Sequence, residues 1–255
     1  MKKAIRLSGL VLTIIFMISS ILWSIFPGSL TRRRIERKYP GTFKGMNDFQ
    51  FTNKPIPDDW EEISGFGLKI KVPGSVREYE QPSTDEIKIT DTRIYFFGKT
   101  KKWQASFSES WKSGENYYRS LFSDYNDDDL KKMFSAISRR VPKNTFEYAK
   151  AINSFTTENI DTRQHGTAKL VECFAEIADE SLSISPDPVL YEKDDLIGFI
   201  YSPYSEADIN PVRTIEIYPK KDLNKCYSLE LYYKGLNLNE DTLQIILESI
   251  ELEDE

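Results

Sequence analysis

The feature that most constrains this chain is an uncharged apolar stretch near its N-terminus. Residues 1–6 form a basic tail with three cationic side chains, and residues 7–30 contain no charged side chain. Residues 7–26 alone would make a helix about 30 Å long, which matches the hydrocarbon core of a bilayer. Trp23 lies near the far end, where an indole favours the headgroup layer. The stretch therefore predicts a transmembrane helix over residues 7–30.

A cleaved signal peptide is the main alternative, because a basic tail would also suit one. The apolar stretch is longer than the core of a usual signal peptide, and no Ala-x-Ala-like cleavage site follows it. No cysteine follows it closely, which excludes a lipoprotein anchor. A buried core helix would not need basic residues at both ends. We therefore expect an uncleaved signal-anchor and a single-pass protein of the cell membrane.

A cluster of basic residues follows the apolar stretch. Its members are Arg32, Arg33, Arg34, Arg37 and Lys38. We expect these side chains to contact the membrane surface, either by binding anionic headgroups or by fixing topology and snorkelling. Their number slightly favours a cytoplasmic C-terminal domain, whereas the Met-Lys-Lys start is typical of an exported bacterial protein. The sequence therefore leaves open which side of the membrane the domain faces.

The rest of the chain divides into a linker and an acidic domain. Residues 31–60 contain several prolines, glycines and asparagines and little periodicity, so they are predicted to be a basic juxtamembrane linker. Residues 61–255 are predicted to form one globular domain. Residues 1–44 hold nine basic residues and one acid, whereas the remainder holds 25 basic and 39 acidic residues. The acidic domain should stand off an anionic bilayer, and a basic protein or envelope partner is favoured over nucleic acid.

The hydrophobic pattern beyond residue 60 changes between strand and helix periodicity. Alternation predicts antiparallel strands in residues 67–73, around Ile87 and Ile89, and in residues 92–97 and 103–107. Helical spacing predicts helices around residues 117–122, 127–137, 144–160 and 166–179. Strands are predicted again at 189–192, 196–202, 214–218 and 227–233, before a last helix that begins near Asn239. This order indicates an α+β fold with a mainly antiparallel sheet packed with helices.

Few residues have the neighbours that catalysis or metal binding requires. The only histidine, His165, lies beside Gly166 between two predicted helices, where a capping or solvated role is favoured. Residues 124–129 resemble the start of a calcium loop, but Asp129 stands where glycine is needed and Ser135 where the bidentate glutamate belongs. A helix start fits that segment better. Phosphate-loop, nucleophile-elbow and zinc-binding motifs are absent from the sequence, so we assign no catalytic, cofactor-binding or metal-binding residue.

The chain has two cysteines, Cys173 and Cys226. Outside the cell they could form a disulfide, and inside it they would be ordinary buried thiols. Their spacing does not decide between these alternatives. We expect unbonded thiols, because cysteine is among the most frequently buried residues without any disulfide.

Aromatic residues are abundant, with 15 Phe, 14 Tyr and four Trp. Those that alternate with polar residues, such as Trp103 and Phe107, are expected in the core. Tyr201 and Tyr204 flank a proline-containing segment that is typical of a loop. We therefore predict that these two tyrosines form an exposed aromatic patch of the kind that lines ligand or peptide grooves.

Two segments resemble the ends of PsbP/Mog1-like α+β domains. The first is the Gly-Leu-Lys-Ile-Lys-Val-Pro strand at residues 67–73, and the second is the strand at residues 227–231 followed by a helix that ends in Leu-x-Ser-Ile at residues 247–250. Bacterial members of that group are often membrane-anchored and of unknown function. The long helical region around residues 115–180 departs from a compact member. The resemblance implies a noncatalytic binding or scaffold role and transfers no site residue.

These features together predict a membrane-anchored protein with one acidic α+β domain that binds a partner rather than turning over a substrate. One alternative is a membrane-tethered hydrolase that uses a carboxylate pair, although a chain with 40 acidic residues always has some close pair and the sequence singles out none. Another is a small-molecule or lipid carrier, which needs only an apolar pocket. A cleft that brings two carboxylates together would favour the hydrolase.

Overall fold

The computed structural model describes residues 13–18, 20, 28–79, 92–110, 112–114, 116–161, 163–202, 211–235 and 238–253. These residues form two compact units. Unit 1 comprises the described residues of Met1–Lys44, Phe122–Val141 and Phe155–Asp179. Unit 2 comprises those of Gly45–Leu121, Pro142–Ser154 and Glu180–Glu255. The chain that was predicted as one domain over residues 61–255 is therefore divided between two units.

The secondary structure of the described residues confirms the α+β class. The helices are α1 (Gly28–Lys38), α2 (Asn116–Ser120), α3 (Asp127–Ala136), α4 (Thr145–Asn153), a 3-10 turn (Thr157–Asn159), α5 (Ala168–Ile184) and α6 (Glu240–Glu248). The strands are β1 (Asn47–Asp48), β2 (Trp60–Gly65), β3 (Leu68–Pro73), β4 (Arg77–Tyr79), β5 (Thr92–Phe97), β6 (Trp103–Glu109), β7 (Val189–Lys193), β8 (Leu196–Tyr201), β9 (Arg213–Pro219), β10 (Tyr227–Tyr233) and β11 (Glu251–Leu252). The strand predicted around Ile87 and Ile89 lies outside the described residues.

Three asparagine caps explain where helices begin. Asn126 accepts hydrogen bonds at 3.0 Å from the backbone nitrogens of Asp128 and Asp129. Asn144 and Asn239 cap α4 and α6 in the same way. The acidic segment at residues 124–129 is thus the start of α3, as predicted, with its carboxylates at the positive end of the helix dipole.

The core of unit 1 is aromatic. Its buried residues Phe122, Phe134, Phe155 and Phe174 have ring centroids 5.1–6.2 Å apart, which is the range of favourable edge and offset packing. Helix α1 belongs to the same unit and buries its Ile35 side chain. Unit 1 therefore has its own hydrophobic core, made mostly by helices.

Residues 31–60 do not form the irregular linker that the sequence predicts. Residues 31–38 continue helix α1, which buries Gly28, Thr31 and Ile35. Phe49 and Phe51 pack against the core of unit 2, and Trp60 begins strand β2. The prediction was wrong because the buried positions of α1 are few and only one of them, Ile35, is large and apolar.

Two sheets form most of unit 2. The larger sheet has the strand order β1-β7-β8-β9-β10-β6-β5-β4, in which only the short β1–β7 pair is parallel. The smaller sheet is antiparallel, with the order β11-β3-β2. Ile70 of the smaller sheet, Ile217 of the larger sheet and Leu243 of α6 belong to one apolar core. That core holds the sheets and the last helix together.

Strands β8 and β9 are buried on both faces, whereas β3, β6 and β10 bury alternate residues. On one face, Ile200 and Ile217 join the core that contains α6. On the other face, the ring of Phe146 from α4 lies 5.4 Å from the rings of Phe199 and Tyr218. Polar side chains of β8 and β9 are consequently enclosed by protein. The candidate sites described below lie on the two faces of these strands.

The predicted transmembrane segment lies only partly within the described residues. Residues 13–18 and 20 are helical, and the side chains from Ile14 to Ile18 are 47–73% exposed. Among the residues that the structure describes, no helix combines the length and the apolar character that a bilayer crossing requires.

Candidate ligand-binding site

A buried ion pair lies on the second face of strand β9. The ammonium of Lys112 contacts Oε1 of Glu216, and the two side chains are only 15% and 6% exposed. Glu216 stands between Ile215 and Ile217, so the alternation of the sequence suggests a solvent-facing side chain. It is buried instead, because α4 covers this face of β9. A buried charge of either sign needs a close partner of the opposite sign, and this pair supplies both.

The second oxygen of Glu216 is also bound. Tyr201 donates its hydroxyl hydrogen to Oε2 of Glu216 at 3.1 Å, and Asn153 donates from Nδ2 to the Tyr201 oxygen at 2.9 Å. The carboxylate is therefore held from both sides by groups of the protein itself. It does not have the exposed oxygen that a general base needs in order to reach a substrate.

The ionisable groups around the pair are held in their protonated forms. Burial lowers the pKa of Lys112, but the adjacent Glu216 carboxylate outweighs burial and raises that pKa above its ordinary value. Burial raises the pKa values of Tyr118, Tyr201 and Tyr218 well above the usual value for tyrosine, and the charge of Glu216 adds to this effect. Burial likewise raises the pKa of the Cys226 thiol to about 12. At neutral pH this cluster offers no phenolate or thiolate nucleophile.

A small cavity adjoins the cluster. It has a volume of about 40 Å³ and is lined by Lys112, Tyr117, Asn153, Tyr201 and other residues from α2, α4 and the end of α5. This space accommodates about three water molecules. It is too small for a typical substrate, so we assign no ligand to it.

A larger cavity, which we call the Arg213 cavity, lies on the other face of β8 and β9, against α6. It has a volume of about 170 Å³. Its apolar floor consists of Phe49, Val189, Ile200, Leu243 and Leu247, and its polar rim consists of Ser202, Arg213, Glu240 and Gln244.

The helical spacing of α6 explains why its apolar and polar residues line different parts of the cavity. Leu243 and Leu247 are four residues apart on α6, so both face the floor, while Glu240 and Gln244 form the adjacent stripe at the rim. Gln244 donates from Nε2 to the backbone oxygen of Gln50 at 2.9 Å. This bond fixes the rim, because it ties α6 to the segment that carries Phe49. The Arg213 cavity therefore has walls from three separate parts of unit 2.

The electrostatics of the rim are asymmetric. The side chain of Arg213 is 26% exposed and that of Glu240 is 69% exposed, and their closest nitrogen–oxygen distance is 3.8 Å. That distance is too long for a hydrogen bond, so the contact is a loose ion pair. Nη1 of Arg213 donates to the backbone oxygen of Val212 at 2.6 Å, which holds the guanidinium in place. The cavity thus presents a fixed, half-buried cation beside an apolar floor.

The predicted aromatic patch is not exposed at Tyr201. Its side chain is 2% exposed and is bound to Asn153 and Glu216, so that part of the prediction was wrong. The proline that follows suggested a loop, but the strand continues to Tyr201 and is covered on both faces. Tyr204 lies outside the described residues.

The predicted membrane-contacting residues lie on helix α1, where several of them pair with acidic side chains. Arg34 contacts Glu172 at 2.5 Å and Lys38 contacts Glu176 at 3.6 Å, both within unit 1. Arg32 contacts Glu36, one turn further along the helix, at 2.9 Å. Arg33 and Arg37 are exposed. Lipid contact by this cluster stays a prediction.

The remaining candidate residues are placed as follows. His165 is exposed in the loop before α5. Cys173 is half-buried and Cys226 is buried, and neither forms a disulfide, which confirms the expectation of unbonded thiols. Sequence reasoning missed Arg213 and Lys112, since an isolated basic residue next to a strand carries no signal until its partners are known.

The chain matches no family model, no curated protein and no solved structure.

Proposed function

We propose that this chain is a single-pass membrane protein whose unit 2 is a noncatalytic binding module, with the Arg213 cavity as its ligand site. The observation that carries the proposal is a cavity of about 170 Å³ with an apolar floor and one fixed guanidinium at its rim. Concave sites that combine apolar walls with a few placed polar groups are a common form of small-molecule site.

The distribution of carboxylates supports binding over hydrolysis. The hydrolase alternative needs two carboxylates that converge on one cleft. Of the two cavities described above, the small one beside Lys112 has no carboxylate on its lining and the Arg213 cavity has only Glu240. The buried carboxylate Glu216 is engaged by Lys112 and Tyr201. Binding without turnover is therefore the function that this geometry favours.

Membrane anchoring is supported by the apolar stretch. A helix whose side chains from Ile14 to Ile18 are all largely exposed would be unfavourable in water, and a bilayer removes that cost. The uncharged residues 7–30 are long enough for a crossing. The acidic charge of the residues after 44 favours a basic protein as any macromolecular partner.

The membrane part is tested by extraction. Membranes that contain the full chain are washed with alkaline carbonate, and the pellet is compared with that of an Ile15→Lys/Phe16→Lys variant. We expect the parent chain to stay in the pellet and the variant to be released, because each lysine costs about 3 kcal/mol at the centre of a bilayer. Release of the parent chain by carbonate would contradict an integral anchor.

The binding part is tested by native mass spectrometry of the full chain, purified from membranes in nanodiscs. We expect one small molecule to be retained per chain and to be recovered chemically unchanged after long incubation. A Val189→Phe variant, which adds volume at the edge of the cavity, should lose it. Conversion of the molecule during incubation would identify an enzyme, and retention by Val189→Phe would place the ligand elsewhere.

A further inference from the structure

We infer that the Arg213 cavity binds a small carboxylic acid whose apolar group is about the size of one aromatic ring. This inference rests on the proposed binding function and specifies its ligand class. It follows from three properties of the cavity: its volume, the position of its only cation, and the unequal exposure of the two charged residues at its rim.

Volume sets the size of the apolar group. The cavity measures about 170 Å³. An apolar protein cavity of about 150 Å³ accommodates benzene. The floor formed by Ile200, Leu243 and Leu247 therefore suits a phenyl ring or a branched aliphatic group of similar size. A long acyl chain would not fit into this volume, which separates the inference from the lipid-carrier alternative.

Charge sets the polar end of the ligand. Among the residues that line the cavity, Arg213 is the only cation. The Arg213 side chain is about three-quarters shielded from water, yet its contact with Glu240 is 3.8 Å long. A ligand carboxylate can form two parallel hydrogen bonds with a guanidinium at normal distances, which is stronger than this loose ion pair. The carboxylate of the ligand would thus give Arg213 a hydrogen-bonded partner in place of its loose contact with Glu240.

The unequal exposure argues against a cationic ligand. Glu240 is 69% exposed, so water already solvates its carboxylate and an ammonium group would gain little from it. The same ammonium would be placed near the half-buried Arg213, where like charges repel in a region of lower dielectric constant. An acid is therefore preferred to an amine of equal shape. Ser202 lies on the same rim and offers a hydroxyl to an anion.

The probes for the test are phenylacetate, phenylacetamide and phenethylamine, with decanoate as the long-chain acid. Their binding to the full chain in nanodiscs is measured by isothermal titration calorimetry and by ligand-observed NMR, against empty nanodiscs. We expect saturable binding of phenylacetate, and at least tenfold weaker binding of the amide and of the amine. Equal binding of acid and amide, or tighter binding of the amine or of decanoate, would overturn the inference.

Variants of the rim residues test whether Arg213 and Glu240 determine the affinity for phenylacetate. Arg213→Gln should weaken phenylacetate binding about 10–100-fold, the range expected for a charge-assisted hydrogen bond. Arg77→Gln, which removes an exposed arginine on β4, is the matched control and should leave the affinity within twofold. Glu240→Gln should tighten binding severalfold, because it removes the competing carboxylate at an exposed position where folding is not at risk. Unchanged affinity in both Arg213→Gln and Glu240→Gln would overturn the inference.

Failure of this inference and failure of the proposed function give different results. If native mass spectrometry recovers a bound small molecule that Val189→Phe loses, but phenylacetate does not bind, the ligand class is wrong and the binding function stands. If neither a retained molecule nor any probe binds, the proposed function itself is wrong.

Discussion

Lys112 and Glu216 form an ion pair that is enclosed by protein on the second face of strand β9, with side-chain exposures of 15% and 6%. Tyr201 and Asn153 extend it into a chain of buried hydrogen bonds. Because each charge is desolvated, each depends on the other. Loss of one member should therefore cost more stability than loss of one member of an exposed ion pair on unit 2.

Removal of one member of this pair should be costly. We expect Lys112→Met to lower the free energy of unfolding by about 3–5 kcal/mol, since it leaves the Glu216 carboxylate buried without a cation. The double variant Lys112→Met/Glu216→Leu should recover more than half of that loss. The measurement is urea unfolding of the full chain in micelles. The control variant Lys71→Met breaks the exposed Lys71–Glu62 pair and should lower the free energy of unfolding by less than about 1 kcal/mol. If the double variant Lys112→Met/Glu216→Leu proves as unstable as Lys112→Met alone, the explanation by an unpaired buried charge is wrong.

Alkaline pH should unfold the protein. The pKa of Tyr218 is well above 10 when folded, so above pH 10 its phenol loses a proton only on unfolding, and stability falls as pH rises. Lys112, whose pKa is also raised, acts in the same direction above its usual value of 10.5. Tyr218→Phe should reduce the slope of unfolding free energy against pH, near pH 11, by up to about 1.4 kcal/mol per pH unit. Tyr79→Phe, at an exposed position on β4, should not change the slope.

The two thiols should react differently with Ellman's reagent. We expect one thiol per native chain to react at pH 8, because burial raises the pKa of Cys226 to about 12 and excludes the reagent. Both thiols should react after unfolding. Cys226→Ala should leave the native count at one, and Cys173→Ala should reduce it to zero. Two reactive thiols in the native chain would show that the cluster around Glu216 is open.

Gly198 should tolerate no side chain. A Cβ atom at this position of β8 would lie 2.0 Å from the backbone oxygen of Glu216 and 2.9 Å from Cα of Ile217. Gly198→Ala should therefore push β8 away from β9 and destabilise the chain by about 3 kcal/mol or more. Gly98→Ala, in the bend directly after β5, is the comparison. A Cβ atom there has only an ordinary contact, but the φ of Gly98 is positive, so a loss of about 1–2 kcal/mol is expected. Equal effects in urea unfolding would contradict the steric argument.

Much of the regular structure could be predicted from periodicity. Strands β3, β6 and β10 bury alternate residues, so their apolar positions recur every second residue and the pattern is visible in the sequence. The aspartates at residues 127–129 and Asn239 indicated the starts of α3 and α6 for a similarly local reason, and the structure adds Asn126 as the cap of α3. Elements with one buried face and a defined start are therefore predictable from the chain alone.

The candidate sites were not predictable, because they lie where burial is two-sided. Tyr201 and Glu216 belong to strands covered on both faces, so alternation gives no information on which residues meet water. The partner of Glu216 is 104 residues away in sequence, and the cavity beside Arg213 needs α6, β8 and β9 together. Such juxtapositions depend on the strand order of the sheet, which periodicity does not encode.

Helix α1 has a further consequence for how the protein works. Its Ile35 is already buried in unit 1, five residues after the uncharged stretch ends at Leu30. At 1.5 Å per residue, about 8 Å of helix separates the two positions. If the preceding residues lie in a bilayer, this short helical segment would connect unit 1 to the membrane in place of a flexible linker. On the proposed anchoring, unit 1 would sample only a thin layer next to the membrane, so the concentration of a ligand at that surface, and not in bulk solution, would set its occupancy.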